Sequence, residues 1–232
     1  MKIFEEAIVL VGGQGTRLRS VVSDVPKPLA QVAGKPFLCR LLDRLVADGM
    51  QHIVLASGYM AEKIQAAIGN EWCGIKISHI IEDRPLGTGG ALKNAASALQ
   101  SDTGVHVFNG DTWLEYSPAV LRERVIANGA AIGMALAQVD DVGRYGAVRL
   151  QDEKVIGFEE KGGQGAGYIN AGCYFITVEA LVTMQIESPF SFEQEILRPR
   201  CFAGEVVAFT QTRGFIDIGV PEDYHRAQEL FA

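Results

Sequence analysis

Apolar residues come in short blocks whose period changes along the chain. Ala7 to Val11 is an unbroken apolar run ending in glycines, which predicts a strand buried on both faces. Phe37, Leu38, Leu41, Leu42, Leu45 and Val46 fall on one face of a helix that Gly49 ends. His52 to Ser57 reads as the next strand, and Ala61 to Ile68 as a short helix closed by Gly69. Ile75 to Ile81 alternates apolar and polar residues as a strand does, and the alanine-rich Thr88 to Leu99 reads as helix. Val105 to Phe108 is a further apolar run, ending at Asn109-Gly110-Asp111. Ser117-Pro118 opens a helix with a cap residue and a proline at the first position.

Strands and helices that alternate over short links predict an α/β fold. The expected form is a Rossmann-like three-layer sandwich, a mostly parallel mixed sheet with right-handed crossovers. The second half changes character. Ala131 to Val139, Gly146 to Leu150, Val155 to Glu159 and Gly172 to Ile176 are strand-like pieces between turns, suited to a small antiparallel part. Gly162 to Gly167 reads as a mobile loop. Pro221 starts a last helix to Leu230, with Glu222 and Asp223 in its first turn, where the helix dipole favours acids. There is no internal repeat, so residues 1–232 read as one domain.

The net charge of −7 and a pI near 5.2 argue against a general nucleic-acid binder, though not against a local phosphate site. The apolar runs are too short to span a membrane. Two acids, Glu5 and Glu6, precede the first run, which is not the pattern of a secretory signal, so a cytoplasmic location is expected. Cys39, Cys73, Cys173 and Cys201 lack CxxC spacing; reduced, mostly buried thiols are expected rather than zinc ligands or disulfides.

The chemistry concentrates in a few segments. Gly12, Gly13 and Gly15 directly follow the first strand, where glycine lets a bulky anion approach backbone N–H groups. Open α/β sheets bind ligands beyond the carboxyl ends of their strands, which is where this loop falls. It is not a Walker loop, because it ends Thr16-Arg17-Leu18, and the dinucleotide pattern fails at Leu18. Pro26-Lys27-Pro28 follows, and two prolines predict a stiff extended segment aiming one ammonium group.

Taken together, Gly-Gly-x-Gly-Thr-Arg-Leu and Pro-Lys-Pro resemble the signature of the sugar-1-phosphate nucleotidylyltransferases. The likeness continues in order along the chain: Leu86 to Ala91, Asn109-Gly110-Asp111, Arg144-Tyr145-Gly146, Phe158-Glu159-Glu160-Lys161, Asn170-Ala171-Gly172 and Phe215 to Pro221. Arg17 to Val22 is similar to the branch that uses D-glycero-D-manno-heptose 1-phosphate and GTP. Ser20 and Gly162 depart from the prolines common at those positions, which loosens the expectation for the loop after Lys161. Larger relatives continue into a β-helix that is not expected here.

The resemblance implies transfer of a nucleoside monophosphate to a sugar 1-phosphate with release of pyrophosphate, for nucleotide-sugar and polysaccharide synthesis. The attacking phosphate is already an anion, so positioning and charge neutralisation carry the catalysis. It implies that Gly12, Gly13, Gly15, Thr16, Gly87, Thr88 and Gly110 bind the nucleotide, and Glu82, just before the second glycine-rich turn, is placed to accept a hydrogen bond from the base edge. Arg17 would hold the leaving pyrophosphate and Lys27 the α-phosphate. Asp111 and Asp217, meeting at the sheet's edge, would hold Mg²⁺. Lys161 would bind the sugar phosphate, with Tyr145, Gly146, Glu159 and Asn170 at the antiparallel sugar-binding part. Asn170 has a second reading, satisfying local backbone groups.

Guanine, uracil and thymine stay open as the base, since backbone readout leaves no trace in sequence. A glycosyltransferase would carry Asp-x-Asp, whereas Asp140 and Asp141 are adjacent. A non-catalytic sugar-nucleotide sensor would have shed Arg17, Lys27, Asp111 or Asp217, all of which are present. Small members of such families often associate, so a homo-oligomer is compatible with the chain.

Overall fold

The computed structural model describes residues 4–13, 15, 17–18, 21–22, 24–184, 187 and 189–232. Thr16, Arg19 and Ser20 lie outside the described residues. The first half runs β1 (Glu6–Leu10), β2 (Gln31–Val32), β3 (Lys35–Pro36), α1 (Phe37–Ala47), β4 (His52–Ser57), α2 (Ala61–Ile68), β5 (Glu71–Trp72), β6 (Ile75–Ile81) and α3 (Gly87–Ala95). It continues through β7 (Gly104–Asn109), β8 (Thr112–Glu115) and α4 (Pro118–Ala127). The second half holds β9 (Ile132–Val139), β10 (Val148–Gln151), β11 (Lys154–Phe158), β12 (Gly167–Thr177), α5 (Val178–Val182), α6 (Arg198–Phe202), β13 (Val206–Phe209), β14 (Arg213–Asp217) and α7 (Pro221–Leu230).

One ten-stranded mixed sheet, in the order β10-β11-β13-β9-β12-β7-β1-β4-β6-β5, carries the fold. The run β7-β1-β4-β6 is parallel, as the alternation of strand and helix predicts. β12 pairs antiparallel with both β7 and β9, which joins the antiparallel additions to the same sheet. Side chains of period two divide between the faces. Ala7, Val9, Ile53 and Leu55 pack with Leu38, Leu42, Ile64 and Leu121 from α1, α2 and α4. Ile8, Val54 and Val107 pack on the other face with Leu92, Ala95 and Ala180 from α3 and α5. Three layers result. A smaller cluster joins Leu18, Ala30, Phe37, Ile216, Ile218 and Ala227, so the loop after β1 packs against β14 and α7.

Local chemistry sets the helix ends. Ser117 accepts from the N–H of Val120 at 3.5 Å, and Pro118 follows at the first position of α4. Two expectations change. The helix predicted to Leu99 ends at Ala95, with a tight 3₁₀ turn over Ala96–Ala98. Lys27–Leu29 is a single 3₁₀ turn rather than an extended segment. Leu29 and Ala30 donate to the carbonyls of Pro26 and Lys27 at 2.8 and 3.0 Å. Proline is tolerated at the start of such a turn because its missing N–H has no intrahelical partner to lose. The four cysteines are free thiols, and Cys73 alone among them is exposed.

Candidate active site

The site lies where β1, β4 and β7 end. Val11 donates to Ala56 at 2.9 Å and Gly110 to Leu10 at 2.9 Å, so the chain leaves the sheet with its neighbours still attached. Gly13 and Gly15 have φ of 101° and 56°, a region that side-chain-bearing residues rarely enter. Leu18 is buried and donates to Gly15 at 3.0 Å, which closes the loop and leaves Arg17 exposed beside it.

Lys27 is ion-paired with Asp111, each side chain about four-fifths buried. Asp111 leads into β8, which pairs with β14 in a separate two-stranded ribbon that sets Thr112 opposite Asp217. The two aspartates therefore approach each other beyond the carboxyl end of β7, close enough for the charge of Asp111 to act on Asp217. Burial raises the pKa of Asp217, and the negative charge of Asp111 raises it further. The Gly219 N–H, which donates to Asp217 Oδ1 at 2.7 Å, together with Lys27 and Arg144, opposes that rise. Two carboxylates that repel one another in a half-buried place make a hard-oxygen donor set suited to a divalent cation. Among the described residues no cluster of three or more His, Cys, Asp or Glu is arranged to hold a metal. Two carboxylates are what magnesium needs when substrate phosphates and water complete its shell.

A cleft of about 520 Å³ brings Arg17, Tyr145, Gly146, Glu159, Lys161, Asn170 and Asp217 together. Glu159 donates its N–H to Ala147 and Gly162 donates to Gly143, both at 2.8 Å, so the turns around Tyr145 and Lys161 are tied to each other. Asn170 accepts from Gly172 N–H at 3.0 Å and from the Tyr174 hydroxyl at 2.9 Å. Its carbonyl oxygen thus serves its neighbours while the residue lines the cleft. Asn109, Arg144, Glu193, Gln194 and Arg198 also line the cleft and were absent from the sequence-derived set. Arg144 and Asn109 stood inside recognised motifs. The other three belong to or directly follow a π-helical turn, Phe192–Leu197, with no sequence signal of its own.

A second pocket, of about 220 Å³, is lined by Gly12, Gly13, Glu82, Gly87 and Thr88, with Leu10, Ala56, Pro85 and Ala91. Glu82 Oε2 accepts from the Leu86 N–H at 2.8 Å. Gly87 has φ 73° and lies against the backbone of Phe190, where a Cβ would collide. Phe190 donates to Leu86 and accepts from Gly89, each at 3.0 Å. The Thr88 hydroxyl accepts from Phe192 N–H at 2.9 Å and donates to Glu193 at 3.2 Å, so one residue of each pocket touches the other. Gly110 lines neither pocket. It is buried, and a Cβ there would come within 2.7 Å of Val11 Cγ1.

Two pockets linked by the Thr88–Glu193 hydrogen bond, with cationic and carboxylate side chains in and beside the larger one, suit an enzyme that takes two substrates side by side. The chain belongs to the family described as nucleotidyl transferase, whose profile matches residues 6–232. It is 40% identical over 224 residues to the D-glycero-alpha-D-manno-heptose 1-phosphate guanylyltransferase of Aneurinibacillus thermoaerophilus, covering 97% of each chain. The enzyme of the same name from Campylobacter jejuni is 39% identical, over 95% of this chain and 97% of its own. The crystal structure of HddC from Yersinia pseudotuberculosis complexed with GMP-PN superposes with a TM-score of 0.87. That protein is 39% identical, with 99% of this chain and 100% of that one covered.

Proposed function

We propose that this chain transfers GMP from GTP to D-glycero-α-D-manno-heptose 1-phosphate, releasing pyrophosphate, as one cytoplasmic nucleotidyltransferase domain. The observation that carries the reading is that Arg17, Lys161 and Asp217 line one cleft, while Lys27 is ion-paired with Asp111 and both charges act on Asp217. The whole-length likeness to heptose 1-phosphate guanylyltransferases supplies the substrates. Among the described residues no helix is long and apolar enough to cross a membrane.

Each side chain then has a task. Gly12, Gly13 and Gly15 present backbone to the triphosphate, and the pocket of Glu82, Gly87 and Thr88 receives the base. Arg17 grips the departing pyrophosphate, since a planar guanidinium binds two phosphate oxygens at once. Lys27 lies beside the α-phosphate. Lys161 binds the sugar phosphate, and Glu159, Asn170, Tyr145 and Gly146 face the sugar. Asp111 and Asp217 would hold Mg²⁺. When bound, that ion neutralises phosphate oxygens as a Lewis acid. No general base is required, because the attacking oxygen is already anionic.

The test is pyrophosphate release with GTP, ATP, UTP and dTTP against the heptose 1-phosphate and mannose 1-phosphate. A missing hydrogen-bond partner in a closed base pocket costs about 1–3 kcal/mol, so GTP should lead ATP by about tenfold to a hundredfold in kcat/KM. The heptose phosphate should be used better than mannose 1-phosphate. A clear preference for UTP or dTTP would replace the guanine assignment and leave nucleotidyl transfer in place.

A further inference from the structure

Asp223 is a buried charge that the chemistry above leaves without a task. It stands in the first turn of α7, where an exposed acid would serve the helix dipole, yet it is only 3% exposed. Its Oδ2 is ion-paired with Arg144, and its Oδ1 lies 3.4 Å from Arg226. Arg144 donates to the Tyr145 hydroxyl and stacks over that ring at 4.4 Å from the centroid. The same hydroxyl is 3.5 Å from Asp223 Oδ2. Phe215 on β14 meets the Tyr145 ring edge-on at 5.5 Å, and Arg226 of α7 donates to the Phe215 carbonyl at 3.2 Å. One carboxylate therefore ties α7 to the sugar-facing turn, while Arg226 ties α7 to the strand that ends at Asp217.

Arg144 and Tyr145 line the sugar cleft and also a second cleft of about 560 Å³, walled by Val139, Asp140, Asp141 and Phe215. The pair is thus a partition with space on both sides. A guanidinium released from Asp223 could swing into that space or turn to the carboxylate of Asp217. Either movement would take the stacked ring of Tyr145 with it.

We propose that Asp223 is a positioning residue for the sugar substrate: it holds Arg144 against Tyr145 so that the ring stays at the sugar cleft. The inference rests on the sugar-facing role proposed above for Tyr145. Asp223 would set affinity for the sugar 1-phosphate without touching it.

Asp223→Asn keeps the size and removes the charge. With the sugar 1-phosphate that the wild-type enzyme uses best, KM for that substrate should rise about tenfold while KM for GTP changes less than about twofold. In an Arg144→Met background the same substitution should add nothing, since the two residues act as one unit. Arg144→Met alone should show the same split, which keeps the test open if Asp223→Asn does not fold. Equal rises in both KM values, or full additivity in the double variant, would overturn the inference. An arm independent of turnover is ¹⁵N NMR of the Arg144 guanidinium: slow rotation in the wild type, fast averaging in Asp223→Asn. Absence of turnover with any sugar 1-phosphate would sink the proposed function. An Arg144 signal that ignores the substitution would sink the role of Asp223.

Discussion

The backbone N–H of Ile218 donates to the carbonyl of Asp111 at 3.0 Å. This bond extends the β8–β14 ribbon to the point where Asp111 and Asp217 face a common space. Backbone pairing thus draws together two turns that are far apart in the sequence, and the proposed metal role of their aspartates can be tested. Asp111→Asn and Asp217→Asn should each lower turnover about a hundredfold or more, since a Lewis acid contributes several kcal/mol. EDTA should abolish activity. Mg²⁺ should raise the melting temperature of the wild type, and that rise should vanish in both variants. Near wild-type turnover in either variant at limiting Mg²⁺ would remove that residue from the metal site.

Arg17 and Lys161 both line the main cleft, and their proposed tasks are separable. Arg17→Lys should lower kcat, because one ammonium does not replace a two-pronged guanidinium on a leaving pyrophosphate. Lys161→Ala should raise KM for the sugar phosphate more than KM for the nucleotide. Steady-state kinetics with each substrate varied decides the matter, and the opposite pattern in both variants would exchange the two phosphate sites.

Glu82 has two tasks that one substitution can divide. It anchors the Leu86 N–H at 2.8 Å and lines the smaller pocket. If it also accepts from the guanine edge, Glu82→Ala should cut the GTP-over-ATP preference about tenfold. Equal losses of kcat/KM for the two nucleotides would leave it only the anchoring role.

His106 gives the fold its acid limit. It is buried on β7, 5.0 Å from the Phe175 ring, and Nε2 lies 3.2 Å from Glu5 Oε2. Burial pushes its pKa from 6.5 down to about 3, against a weaker opposing pull from Asp48. The folded state therefore refuses a proton that the unfolded chain accepts. The contribution of His106 should be fully present above about pH 6.5 and be lost as pH drops toward about 3, by about 2 kcal/mol at about pH 5. His106→Gln should flatten this limb in urea unfolding at the two pH values. An unchanged slope would mean that carboxylates alone set the acid sensitivity.

Much of the parallel half was legible in local pattern. The limits of β4, α2, β6 and α7 follow from runs bounded by glycine and proline, because caps and periodicity act over a few residues. Arg17, Lys27, Asp111, Lys161 and Asp217 stand in motifs that can be picked out in the sequence, and the fold brings Arg17, Lys161 and Asp217 to one cleft and pairs Lys27 with Asp111.

Other features depend on pairing between distant segments, which leaves little local trace. The predicted strand Gly172–Ile176 is the end of β12, which begins at Gly167 because β9 pairs with its full length through a register shift. β13 lies beside β9 although neither flanking segment announces it. The wall formed by Glu193, Gln194 and Arg198 exists because Phe190 locks onto the start of α3. Asp223 reads in sequence as an ordinary first-turn acid. Its burial against Arg144 comes from the docking of α7 on the turn that carries Arg144 and Tyr145, and a charge's role follows from what surrounds it after the chain has closed. Sequence by itself determined the alternating layers and the phosphate chemistry, while tertiary structure decided which polar residues share a cleft.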